Sequence, residues 1–130
     1  MLKYIMIVNT LTAIEQMMID RFISLSANTL NIESIYLFGS RARNEGDKES
    51  DIDLAVIVKT RAALKEITLR AIELSIKVEE ELDVSGELML NPIVLNESLL
   101  KTNIGIGKTI REEGVLLWSK KLAGQKRKAT

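Results

Sequence analysis

The chain has 130 residues, 46% of them apolar, with 18 basic and 18 acidic side chains and neither cysteine nor histidine. That inventory excludes thiolate and imidazole nucleophiles, Ser-His-Asp triads and the usual zinc ligand sets. It leaves one domain's worth of chain, a composition that agrees with a reducing cytoplasm, and chemistry run on carboxylates, lysine, arginine, hydroxyls and a borrowed metal.

Residues 1–8 contain an apolar stretch far shorter than the roughly 20 residues of a membrane span, and they lack a signal-peptide cleavage pattern. They read as a short strand or leader, with no membrane role. Residues 12–30 offer Thr12 as an N-cap, followed by Ile14, Met17, Met18, Phe22 and Leu25 at helical spacing, so a core-facing helix is expected. Ser34-Ile35-Tyr36-Leu37-Phe38 is a short strand candidate that stops at Gly39-Ser40. Ser40 is a favoured N-cap residue, and Arg41-Ala42-Arg43 continue as a helical turn. Free amides at such a turn form a phosphate cradle, Gly39 lets a ligand approach the backbone, and Arg41 and Arg43 add cationic contacts.

After a polar loop over 44–50, Asp51 and Asp53 open the β-branched run at 52–58. In a strand, positions i and i+2 share a face, with Cα atoms about 6 to 7 Å apart. Two carboxylates so placed can converge on a hard cation such as Mg²⁺, which keeps positions open for water and substrate phosphates. An isolated Asp-x-Asp is more often a solvated strand entry, and an isolated Gly-Ser is more often a plain turn. Joined across one loop, the two put phosphate ligands and metal ligands on neighbouring strand ends, an arrangement suited to phosphoryl or nucleotidyl transfer.

Residues 61–82 predict a long helix with Leu64, Ile67, Ala71, Leu74, Val78 and Leu82 in one stripe. A second strip, Leu69, Ile72 and Ile76, packs under the amino-terminal helix or meets a partner subunit, and the first of these is the expectation. Residues 87–95 predict a strand, and 96–100 a helix start. Gly105-Ile106-Gly107-Lys108-Thr109 resembles the end of a P-loop, but Thr102 stands where the first glycine belongs, and the segment does not follow a strand directly. Lys101 and Lys108 read as solvated helical lysines. Gly114 is expected to cap a helix before a final strand ending near Trp118, an edge-packing aromatic. The triplet Asn96-Glu97-Ser98 matches a glycosylation sequon, which has meaning only in a secreted chain. Residues 120–130 hold five of the basic residues and no acid, so residues 1–119 carry 13 basic against 18 acidic side chains. A net negative body argues against nucleic acid as a direct substrate. The division expected is a domain over 1–119 and a flexible basic tail over 120–130.

The Gly39-Ser40 pair followed by Asp51-x-Asp53 resembles the signature of the DNA polymerase β-like nucleotidyltransferase superfamily, and the small size resembles its minimal nucleotidyltransferases. The resemblance implies an α/β (α+β) nucleotidyltransferase fold, a small mixed β-sheet flanked by helices. It implies Gly39, Ser40, Arg41 and Arg43 as nucleotide-binding residues, Asp51 and Asp53 as catalytic metal ligands, Mg²⁺ as cofactor, and ATP or another nucleoside triphosphate as donor. Asn44 replaces a frequent glycine, and asparagine tolerates left-handed backbone. A third carboxylate is implied on a later strand, where Met89 stands by register. Glu87, two residues earlier and of the same parity, is the candidate third catalytic and metal-binding acid, the alternative being a surface glutamate. Asp83, near a helix end, is a weaker substitute. Minimal members are commonly antitoxins of HEPN-domain ribonuclease toxins, which implies transfer of AMP to a toxin tyrosine within a homo- or hetero-oligomer. A non-catalytic binding antitoxin and an aminoglycoside-type transferase are the alternatives.

Overall fold

The computed structural model describes residues 11–39, 41–43, 51–59 and 63–123. The apolar stretch within 1–8, Ser40, Asn44 with the rest of the 44–50 loop, Arg61 and the chain beyond 123 lie outside them. Helix α1 (Ala13–Thr29) begins where the sequence predicts it. The Thr12 hydroxyl accepts a hydrogen bond from the Glu15 amide at 3.2 Å, and Glu15 Oε1 accepts one from the Thr12 amide at 2.9 Å. This reciprocal capping box satisfies two of the donors that a helix start leaves open. Met18, Ile19, Phe22 and Ile23 are fully buried, whereas Met17 points outward.

Four strands follow: β1 (Ser34–Phe38), β2 (Ile52–Val58), β3 (Leu90–Asn96) and β4 (Val115–Ser119), in the sheet order β3-β2-β1-β4. β1 runs antiparallel to β2 and β4, while β2 and β3 are parallel. The parallel pair needs a long crossover, and α2 (Leu64–Glu81) supplies it. The sheet is therefore mixed and flanked by helices, as expected.

Strand alternation sorts side chains onto two faces. Ile35, Leu37, Ile52, Leu54, Val56, Val58 and Leu90 join the buried residues of α1 and α2 in the larger core. Phe38, Ala55, Ile57, Leu95 and Ile110 form a smaller core on the opposite face, under α3 (Glu97–Leu100) and α4 (Gly105–Glu113). α4 lies tight on the end of α3 because residue 107 has no side chain: a Cβ on Gly107 would overlap the Leu99 carbonyl oxygen. The P-loop-like segment is thus the opening of α4, after a helix and not after a strand. Gly114 caps α4, donating to the Ile110 carbonyl at 2.8 Å. Asn96 is buried and caps α3, its Oδ1 accepting from the Ser98 amide at 2.8 Å, so the sequon asparagine serves the fold.

Three expectations need correction. α2 starts at Leu64, after Ala63 in a left-handed conformation (φ 61°). Its strip of Leu69, Ile72 and Ile76 is exposed and not packed under α1, because α1 approaches another side of α2, marked by the Arg21–Glu81 pair at 3.1 Å. Strand β3 begins at Leu90, three residues late: positive φ at Asp83 (56°) and Gly86 (85°) curls the chain, and the Glu87 and Leu88 amides donate to the Val84 carbonyl. Beyond these corrections, residues 120–123, at the start of the expected tail, are helical, and the Lys120 amide donates to the Glu33 carbonyl at 2.9 Å. No helix among the described residues is long and apolar enough to cross a membrane.

Glu15 has a second task beyond the cap, since its Oε2 pairs with the Arg41 guanidinium, and both side chains are buried. Removing one charge of a buried pair is strongly destabilising. Glu15→Gln, which can still close the capping box, is expected to lower the unfolding free energy by about 3 kcal/mol, against about 1 kcal/mol for Thr12→Ala. Urea unfolding of the two variants checks this, and equal losses would place the weight on the cap alone.

Candidate functional site

The site is set by the register of three strands. Phe38, the last residue of β1, lies opposite Asp53 on β2, and Asp53 lies beside Asn91 on β3. The chain turns immediately after Phe38 at Gly39, whose φ of 76° is left-handed. Its missing side chain is also a spatial requirement, because a Cβ on Gly39 would overlap the carboxylate Oδ2 of Asp53. Gly39 is needed for both reasons. The space above it belongs to the aspartate.

Beyond Gly39 the chain makes a single hydrogen-bonded turn. The Ala42 and Arg43 amides both point back to the Gly39 carbonyl, at 3.1 and 3.3 Å. Two ion pairs tie this turn to the helices on either side: Arg41 to Glu15 of α1, and Arg43 to Glu113 at the end of α4, at 3.9 Å. Both arginines thus hold ion pairs in the fold, beside the nucleotide-binding role expected of them. Arg41 is 6% exposed and anchors the turn from within, so its charge is turned toward α1. Arg43 is half-exposed on the α4 side. Ser40 lies outside the described residues.

Asp53 is partly buried, and its Oδ1 accepts a hydrogen bond from Asn91 Nδ2 at 2.9 Å. Asp51 precedes β2 and is exposed. Ile52 between them is fully buried in the larger core, so strand alternation sends the flanking aspartates toward the other face. That is also the face of Ala55, Ile57 and Leu95, hence the α4 side of the sheet.

Glu87 does not share this arrangement. It is exposed in the turn before β3, so strand parity does not apply to it. Among the described residues no three acidic, histidine or cysteine side chains gather as a metal site, which separates Glu87 and Asp83 from the aspartate pair. Met89 is exposed and stands just before β3, its carbonyl accepting from the Ile52 amide at 2.9 Å. The side chain that reaches Asp53 from β3 is Asn91. Sequence reasoning passed over it, although stepping two residues forward from Met89 gives the same parity as stepping two back to Glu87. Two concavities, of about 380 and 350 Å³, lie elsewhere, the first by Met17, Asp20 and Glu81 and the second by Leu30, Ile32 and Trp118.

Comparison with known proteins places this geometry in a family. Residues 21–122 match the family model described as polymerase beta, nucleotidyltransferase. The "Putative protein adenylyltransferase MJ0141" of Methanocaldococcus jannaschii is 29% identical over 68 residues, a segment covering 52% of this chain and 64% of that relative. A crystal structure of a "putative nucleotidyltransferase" from Sulfolobus solfataricus aligns with a TM-score of 0.46 and 20% identity, over 85% of this chain and 90% of that one. A toxin–antitoxin crystallised with AMP-PNP aligns with a TM-score of 0.48 and 22% identity, over 82% of this chain and 77% of that one. With most of its length inside the family match, and with the Gly39 turn set against Asp53 within it, the chain belongs to the polymerase beta nucleotidyltransferase family.

Proposed function

We propose that this protein transfers a nucleoside monophosphate, AMP from ATP, to the hydroxyl of a tyrosine on a partner toxin of the HEPN class, and thereby acts as its antitoxin. The observation that carries the reading is the seating of the Asp53 carboxylate over the side-chain-free Gly39 turn, inside a family match spanning most of the chain. A relative named for protein adenylyl transfer supports the donor and the acceptor class.

Magnesium fits the residues present. The donors are hard carboxylate oxygens, and Mg²⁺ is commonly held by one or two carboxylates with the rest of its shell left to water and substrate phosphates. Asp51 and Asp53 would hold it, and when bound it would neutralise triphosphate charge. The phosphate chain would meet the turn at Gly39 next to the Asp53 carboxylate, and Ser40 follows Gly39 in the sequence. Asn91 is a positioning residue: its amide fixes the Asp53 carboxylate by one oxygen. In the reaction, the acceptor oxygen forms a bond to the α-phosphorus and the bond from that phosphorus to the bridging oxygen breaks. Pyrophosphate leaves, and the hydroxyl proton passes to solvent.

With an amide beside Asp53, no third carboxylate among the described residues joins the pair to take that proton. A phenol, with a pKa of about 10, needs far less help in losing it than an aliphatic hydroxyl does. This favours a tyrosine over a sugar hydroxyl as acceptor. Modification would then add bulk and negative charge to the toxin. Asn91 also favours a second reading, in which the chain neutralises the toxin by contact and performs no chemistry.

Incubation of the protein and its toxin with α-labelled ATP and Mg²⁺ separates the two readings. Label is expected on the toxin with the wild type and not with Asp51→Asn plus Asp53→Asn, and neutralisation without label in either reaction would favour contact alone. In the same assay Asn91→Ala is expected to lower the rate by about 10- to 100-fold, the usual effect of removing a partner of a metal ligand. Glu87→Gln is expected to leave the rate within about twofold, since surface changes away from a site do little. The opposite pattern would return Glu87 to the mechanism.

A further inference from the structure

The exposed strip on α2 has an internal symmetry that the fold does not use. Leu69, Ile72 and Ile76 are 55%, 40% and 49% exposed, and i+3 and i+4 spacing aligns them along one side of the helix. Lys65 continues the strip four residues before Leu69, and Glu80 continues it four residues after Ile76. Both are exposed. The order along the helix is therefore cation, apolar, apolar, apolar, anion, evenly disposed about a point between Ile72 and Glu73.

A strip of this kind is complementary to its own copy run in the opposite direction. A two-fold axis through its midpoint sets Leu69 against the partner's Ile76, the two Ile72 side chains near each other, and Lys65 against the partner's Glu80. Each pairing then occurs twice, as an isologous contact requires. Elsewhere on the exposed side opposite charges follow each other at helical spacing, Glu66 four residues before Arg70 and Glu73 four before Lys77. Lys65 has no acid three or four residues after it, Thr68 and Leu69 standing there, whereas Glu80 has Lys77 three residues before it.

We propose that this face is a homodimer interface, in which α2 packs antiparallel on α2 of a second copy. The inference does not rest on the nucleotidyltransferase reading. α2 covers the sheet face opposite to the one that carries Asp53 and Asn91, so the dimer leaves both sites open. Three apolar side chains and two end-to-end ion pairs make a small interface, and the association is accordingly weak, on the order of micromolar.

Sedimentation velocity on the full chain across the micromolar range tests this. The wild-type mass is expected to rise from 14.6 kDa toward twice that value, while Ile72→Asp stays at the lower one. Lys65→Glu and Glu80→Lys are each expected to weaken association by about tenfold or more, through like charges set face to face. The double reversal K65E/E80K restores it. All three positions are exposed, so circular dichroism is expected to match the wild type. If I72D fails to fold, the charge-reversal set decides alone. A wild type that stays monomeric throughout would overturn the proposal and leave the strip to a different protein. A double reversal no tighter than its single variants would also overturn it.

Discussion

The placement of Phe38 opposite Asp53 is the constraint on which the rest depends. Antiparallel pairing ends β1 at the point where β2 presents its aspartate, so the chain must reverse within one residue directly above a carboxylate. Only a residue without a side chain fits there, since any Cβ would enter the space held by Asp53 Oδ2. The positive φ of Gly39 and the carboxylate's position are therefore two sides of one requirement. A shift of one residue in the β1–β2 pairing would send Asp53 into the larger core and bring Ile52 to the site.

The turn beyond Gly39 is short and is secured from outside. Glu15 closes the start of α1 and also holds Arg41, so one carboxylate links the helix cap to the loop that faces the site. Arg43 and Glu113 make the corresponding link to α4. That second pair is half-exposed and worth little to stability, whereas the first is buried and its disruption is costly. The turn is thus braced strongly toward the larger core and weakly toward the smaller one. On β3, the neutral amide of Asn91 in contact with Asp53 keeps the carboxylate oriented without adding a like charge beside it.

Much of this was legible in the residues. An apolar run ending at Gly39 and a β-branched run fixed β1 and β2 to their observed limits, the Thr12 cap fixed the start of α1, and the Gly39-Ser40 and Asp51-x-Asp53 motifs resembled the family. The start of β3 was not legible, because left-handed turns at Asp83 and Gly86 consumed residues that alternation alone assigns to the strand. Glu87 consequently lies in the turn before β3, outside the alternation on which its candidacy rested. The Arg41 ion pair was not legible either: local sequence places a cation beside a phosphate cradle, and its partner Glu15 lies 26 residues earlier and meets it only in the folded chain. The apolar strip of α2 had two readings on periodicity, and only the side from which α1 approaches decides between them.

We propose that Asp53, seated over a bare Gly39, forms one divalent-cation and triphosphate site with its neighbours. Calorimetric titration of the full chain with ATP and Mg²⁺ tests it directly when the wild type is compared with Gly39→Ala, a change that adds one methyl group and no charge. The account predicts magnesium-dependent nucleotide uptake by the wild type and at least about a tenfold loss of affinity in the variant, as expected when a precisely placed contact is displaced. Equal uptake by both proteins, or uptake indifferent to magnesium, would contradict it.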